Sequence, residues 1–97
     1  MDIIAFSKSI DNDPVSLVKD YFDELMAMYD LFGSYSGISI TSSITDDQPI
    51  SFWITFDSKT NAEEMRKIAT DREIYICGKL YKISGKVENN SVVITIQ

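Results

Sequence analysis

The chain has 97 residues, of which 44 % are hydrophobic and 25 % are charged, and its formal net charge is −6. This composition predicts one packed globular domain over residues 1–97 and excludes disordered, collagen-like and membrane-spanning classes. The chain contains no histidine and a single cysteine, Cys77, which excludes His-dependent catalysis, most zinc sites and an internal disulfide. We therefore predict a chain that is not an enzyme and that holds neither a metal ion nor another cofactor.

The charge is unevenly distributed along the chain. Residues 1–57 contain ten acidic and two basic residues, a net charge of −8, whereas residues 58–97 contain five acidic and seven basic residues, a net charge of +2. An acidic chain is repelled by phosphate backbones, because nucleic-acid binding needs clustered lysine and arginine. The charge therefore favours either a protein partner with a basic surface or a role in solubility alone, and it disfavours nucleic acid as the partner.

The first apolar run of the chain is Ile3–Phe6. It is too short for a signal peptide or a membrane span, so we expect a cytoplasmic protein that makes no use of a membrane. Since its apolar residues do not alternate with polar ones, the run predicts a strand that is buried on both faces, in the interior of a sheet.

The first helix is predicted from about residue 14 to residue 32. Asp13 and Pro14 suit the cap and the first helical position, and Gly33 suits a left-handed position after the last turn. Between them, apolar residues recur at helical spacing and cover about half of the circumference, which predicts a helix that lies on a sheet. Its apolar members are Leu17, Val18, Tyr21, Phe22, Leu25, Met26, Met28, Tyr29 and Phe32.

The next segments alternate apolar and polar residues, as half-buried strands do. Residues 38–44 and 50–56 both show this alternation, and the polar run Thr45–Pro49 between them predicts a hairpin turn. Thr60–Glu63 matches a capping box, which predicts a second helix over about residues 60–70. The remaining residues, 74–96, predict a strand meander with turns at Gly78 and at Asn89.

The resulting order is β-α-β-β-α-β with an additional C-terminal hairpin. This order is typical of the ferredoxin-like split plan, an α+β fold with both helices on one face of an antiparallel sheet. In that plan the first and third strands are central. The pattern leaves open whether the added hairpin extends the sheet or covers its outer face at Trp53.

Acidic residues on the outer face of the first helix are the main candidate site. A convex helix face provides no cleft that would shift a carboxyl pKa, so the pattern favours docking on a basic partner over acid–base catalysis. The hypothesis is a non-catalytic protein-binding module, an inhibitor that occupies the nucleic-acid-binding surface of its partner, similar to small phage-encoded inhibitors of nucleases. Its predicted partner-binding residues are Asp20, Asp23, Glu24, Asp30, Asp46 and Asp47.

Two alternatives use the outer face of the sheet. Residues 52–56 and 62–64 resemble the third strand and second helix of RNA-recognition motifs, in which outer-face aromatic side chains stack on bases. The resemblance implies single-stranded nucleic-acid binding by Ser51, Trp53 and Thr55, provided that the lysines at 79, 82 and 86 share the face of Trp53. The second alternative is a structural homodimer built on the same face, because tryptophan is enriched at protein interfaces.

Overall fold

The computed structural model of the chain describes residues 3–6, 14–41, 49–76 and 78–97. Within these ranges the chain forms two helices and six strands, and the predicted α+β class with an antiparallel sheet is confirmed. None of the described helices is long and apolar enough to cross a bilayer. In chain order the elements are β1 (Ile3–Phe6), α1 (Pro14–Met28), β2 (Tyr35–Thr41), β3 (Ile50–Phe56), α2 (Lys59–Ala69), β4 (Arg72–Ile76), β5 (Lys79–Glu88) and β6 (Ser91–Ile96).

The strands form a single sheet in the order β1-β4-β5-β6-β3-β2. All neighbours are antiparallel except β1 and β4, which are parallel. The predicted interior position of β1 is wrong, since β1 lies at an edge with three strands between it and β3. The ferredoxin-like order would place these two strands side by side. The meander β4-β5-β6 occupies that place instead, because its short connections keep its strands adjacent and β6 pairs with β3.

Both helices pack on one face of the sheet, as predicted, and their apolar sides form a single core with it. Phe52, Ile54 and Phe56 of β3 are fully buried, whereas Trp53 between them is 44 % exposed, so the strand alternates as expected. Phe22 of α1 meets Phe52 edge to face, with ring centroids 5.1 Å apart. Full burial of each such ring contributes about 1.5–3 kcal/mol.

Helix α1 ends at Met28 rather than at Phe32, and the reason is local. Asp30 adopts the left-handed conformation with φ 58°, and the amide of Leu31 donates to the carbonyl of Met26 at 2.7 Å. This is a Schellman arrangement in which aspartate takes the position usually held by glycine. Leu31 is buried beside the helix, whereas Phe32 falls in a short 3-10 turn and is exposed.

The ends of α2 are held by side-chain hydroxyl groups. The Ser58 hydroxyl accepts a hydrogen bond from the amide of Asn61, so the cap of the helix lies two residues before the predicted cap at Thr60. At the other end, the hydroxyl of buried Thr70 donates to the carbonyl of Arg66 at 2.6 Å. The Thr70 methyl group lies over Gly85 of β5, where a side chain would collide with it. Glycine at position 85 therefore allows α2 to approach the sheet closely.

Candidate protein-binding surfaces

The predicted acidic residues of α1 lie on its solvent side. Asp20 and Glu24 are exposed, and among the described residues neither forms an ion pair. Asp23 is half-buried and accepts a hydrogen bond from the ammonium group of Lys19 at 3.0 Å. That bond raises the pKa of Lys19 above its ordinary value of 10.5. Asp23 is therefore partly neutralised, and Asp20 and Glu24 supply the uncompensated charge of the helix.

Three exposed apolar side chains follow these acids along the chain, at and just beyond the C-terminal end of α1. Met28 is 75 % exposed, Tyr29 47 % and Phe32 45 %. Met28 follows Glu24 by four residues, so the two side chains are neighbours on the helix surface. Asp30 lies between Tyr29 and Phe32 in the chain and is exposed as well. Exposed aromatic and methionine side chains are enriched in protein interfaces, where polar residues form the rim.

We call this combined region the α1 surface. It comprises the acids Asp20, Asp23, Glu24 and Asp30 and the apolar residues Met28, Tyr29 and Phe32. The sequence pattern placed the apolar three in the buried stripe because their spacing continues the helical period, and no signal marked them as exposed. Aspartate at position 30, which tolerates the left-handed conformation, is the one hint that the helix stops early. The other two predicted acids, Asp46 and Asp47, lie outside the described residues, as do Asp13 and Cys77.

The sheet surface that faces away from the helices is the second candidate, and we call it the open sheet face. In β3 it presents half-buried Ser51, exposed Trp53 and half-buried Thr55. The added hairpin extends the sheet, and no described element covers Trp53. Trp53 stands opposite Val93 of β6 in the strand register. The structure thus brings the three predicted sheet-face residues together on one accessible surface.

A hollow of about 210 Å³ lies beside Trp53 on the open sheet face. It is lined by Ser84, Gly85 and Lys86 of β5 and by Val93 and Thr95 of β6. Val93, which stands opposite Trp53 in the strand register, therefore also lines the hollow. Local sequence patterns could not predict that Trp53 lies next to this hollow, because that proximity depends on which strand pairs with β3.

The lysines of β5 divide between the two faces of the sheet. Lys82 and Lys86 share the open sheet face with Trp53, since Lys86 stands opposite Val93. Lys79 lies an odd number of residues from Lys82 and therefore points to the opposite face of the sheet. Its ammonium group lies 5.2 Å from the centre of the Tyr81 ring. The nucleic-acid alternative requires all three lysines to share the face of Trp53, and two of them, Lys82 and Lys86, do so.

Glutamates balance those two lysines on the open sheet face. Lys82 stands opposite Glu73 in β4, and Lys86 forms an ion pair with Glu88 at 3.1 Å. The formal charges of the two lysines and the two glutamates sum to zero. The described part of this face therefore lacks the positive potential that attracts a phosphate backbone.

Among the described residues, no three acidic or cysteine side chains are grouped closely enough to hold a metal ion. Comparison of the chain with protein-family models, with curated protein sequences and with solved structures finds no match. The function of the chain is therefore inferred from the geometry and charge of the two surfaces.

Proposed function

We propose that this chain is a small, non-catalytic protein-binding module, and that its α1 surface binds a basic surface of another protein. The observation that carries the proposal is the exposure of Met28, Tyr29 and Phe32 at and just beyond the C-terminal end of α1, where Met28 lies one helical turn after the uncompensated Glu24. Exposed aromatic and methionine side chains provide the buried contacts of an interface, and surrounding charges set its orientation and association rate.

The kind of partner follows from this composition. A complementary surface needs an apolar depression for Tyr29 or Phe32 and positive charge facing Asp20 and Glu24. Surfaces that bind nucleic acid carry such positive charge. We infer that the chain acts as an inhibitor, whose acidic helix occupies a site that otherwise holds a phosphate backbone.

The test is affinity capture on the immobilised chain from a lysate of its source, followed by measurement of the purified captured protein by calorimetry. The test variant is Asp20→Lys with Glu24→Lys. The matched control is Glu63→Lys with Glu64→Lys on α2, which changes the net charge equally. We expect at least a tenfold loss of affinity in the α1 variant only, and weaker binding of the unaltered chain at high salt.

A second pair of variants tests the apolar part of the α1 surface. Met28→Ala with Tyr29→Ala should weaken the same complex by about thirtyfold, the effect of removing one interface hot spot. Leu80→Ala, which shortens a similarly exposed side chain on the sheet, should leave the affinity unchanged. A complex that is insensitive to salt, or equally weakened by the α1 and α2 charge variants, contradicts the proposal.

A further inference from the structure

The open sheet face has the size of a stable protein interface. The six strands contain 39 residues in all, and at about 3.3 Å by about 4.8 Å per residue they cover about 620 Å² of the sheet plane. This area lies within the roughly 600–1,000 Å² per partner that specific complexes bury.

This face carries a projection and a recess next to each other. Trp53 is 44 % exposed, and the hollow lined by Ser84, Lys86, Val93 and Thr95 begins on the neighbouring strand. In a two-fold symmetric contact, a feature of one copy meets a different feature of the other copy, and the reverse contact forms at the same time. A two-fold axis midway between projection and recess would seat each Trp53 in the hollow of the other copy.

The charge of the open sheet face suits a second copy better than a charged partner. The chain has a formal net charge of −6. The charges on this face nevertheless sum to zero, since they come from Glu73, Lys82, Lys86 and Glu88. Two copies that meet through their sheets place their acidic α1 surfaces on the far sides, where their repulsion is weakest. A basic partner or a phosphate backbone finds no opposite net charge on the described part of this face.

We propose that a second copy of this chain packs on the open sheet face, with Trp53 of each copy in the hollow between β5 and β6 of the other. This contact is separate from the α1 surface, so a dimer presents two outward-facing α1 surfaces. The polar residues around Trp53, which include Ser51 and Thr95, provide hydroxyl groups that bond across such a contact.

The experiment is sedimentation equilibrium of the full chain at low and high salt, with Trp53 fluorescence recorded over the same concentrations. We expect a monomer–dimer equilibrium and a blue shift of the emission as dimer forms. Salt should leave the dimer unchanged or strengthen it, because salt screens the repulsion between two acidic copies. The α1 complex should respond to salt in the opposite direction, so the two proposals fail independently.

Two variants test the contact itself, and circular dichroism checks that each is folded. Trp53→Ser removes the projection and Ser84→Arg fills the recess, and each should weaken the dimer by about thirtyfold or more. Phe32→Ser on the helix side is the control and should leave the dimer intact. A chain that stays monomeric at all concentrations overturns the proposal. Quenching of Trp53 by single-stranded RNA in a monomeric chain overturns it in favour of nucleic-acid binding.

Discussion

Replacing Gly85 by alanine should destabilise the protein, because the new methyl group has no space. A Cβ atom at position 85 would lie 2.5 Å from the Cγ2 atom of Thr70 and 3.3 Å from the carbonyl oxygen of Val93. Thr70 is 3 % exposed and its hydroxyl is bonded to Arg66, so rotating its side chain away sacrifices a hydrogen bond worth about 1 kcal/mol. Overpacking of this kind costs about 1–3 kcal/mol.

The substitution also has a stabilising effect, but this effect is smaller than the cost of the collision. The Gly85→Ala variant should therefore be less stable than the unaltered chain. Alanine restricts the unfolded chain more than glycine does, which favours folding by about 0.4–1 kcal/mol. We therefore expect Gly85→Ala to lower the free energy of unfolding by about 1–2 kcal/mol. Urea denaturation followed by Trp53 fluorescence measures this change. Gly37→Ala is the matched control, since no atom lies within 4 Å of its added Cβ.

A second substitution identifies the atom responsible. Thr70→Ser removes the colliding methyl group and retains the hydroxyl that bonds to Arg66. Alone it should cost about 1 kcal/mol of buried apolar contact. In a double-mutant cycle with Gly85→Ala, the two substitutions should show a favourable coupling free energy of at least about 1 kcal/mol. Independent, additive effects, or a Gly85→Ala variant as stable as Gly37→Ala, would refute the close packing of α2 on β5.

Three further predictions concern α1 and the core. Asp30→Gly should raise the free energy of unfolding by about 0.5–1 kcal/mol, because glycine adopts φ 58° without strain, whereas Glu24→Gly inside the helix should lower it. Phe52→Ala should cost about 3–5 kcal/mol in the same urea assay, and a loss below about 1 kcal/mol would contradict its burial. The Lys19–Asp23 pair should contribute about 0.2–0.5 kcal/mol. Since folding raises the pKa of Lys19, this contribution is full below pH 10.5 and disappears as pH rises through the raised pKa. The stability difference between Lys19→Met and the unaltered chain should therefore vanish in strong alkali, and a difference that persists there would exclude this cause.

Much of the secondary structure could be predicted from local patterns. The alternation in residues 50–56 matches β3, and the capping and spacing of α2 were predicted to within two residues. The end of α1 could not be predicted in the same way, because the apolar spacing continues to Phe32 while the backbone turns at Asp30. The acidic half of the α1 surface was predicted from residue spacing, and its exposed apolar half was not.

The sequence by itself determined the α+β class, the apolar side of each helix, and the direction of Asp20, Glu24 and Trp53 away from the core. Each of these follows from periodicity and charge within a single element. Only the tertiary structure decided the strand order, because pairing between distant strands depends on competition among many registers. That order moved β1 to the edge, placed β6 beside β3, and left Trp53 exposed next to a hollow.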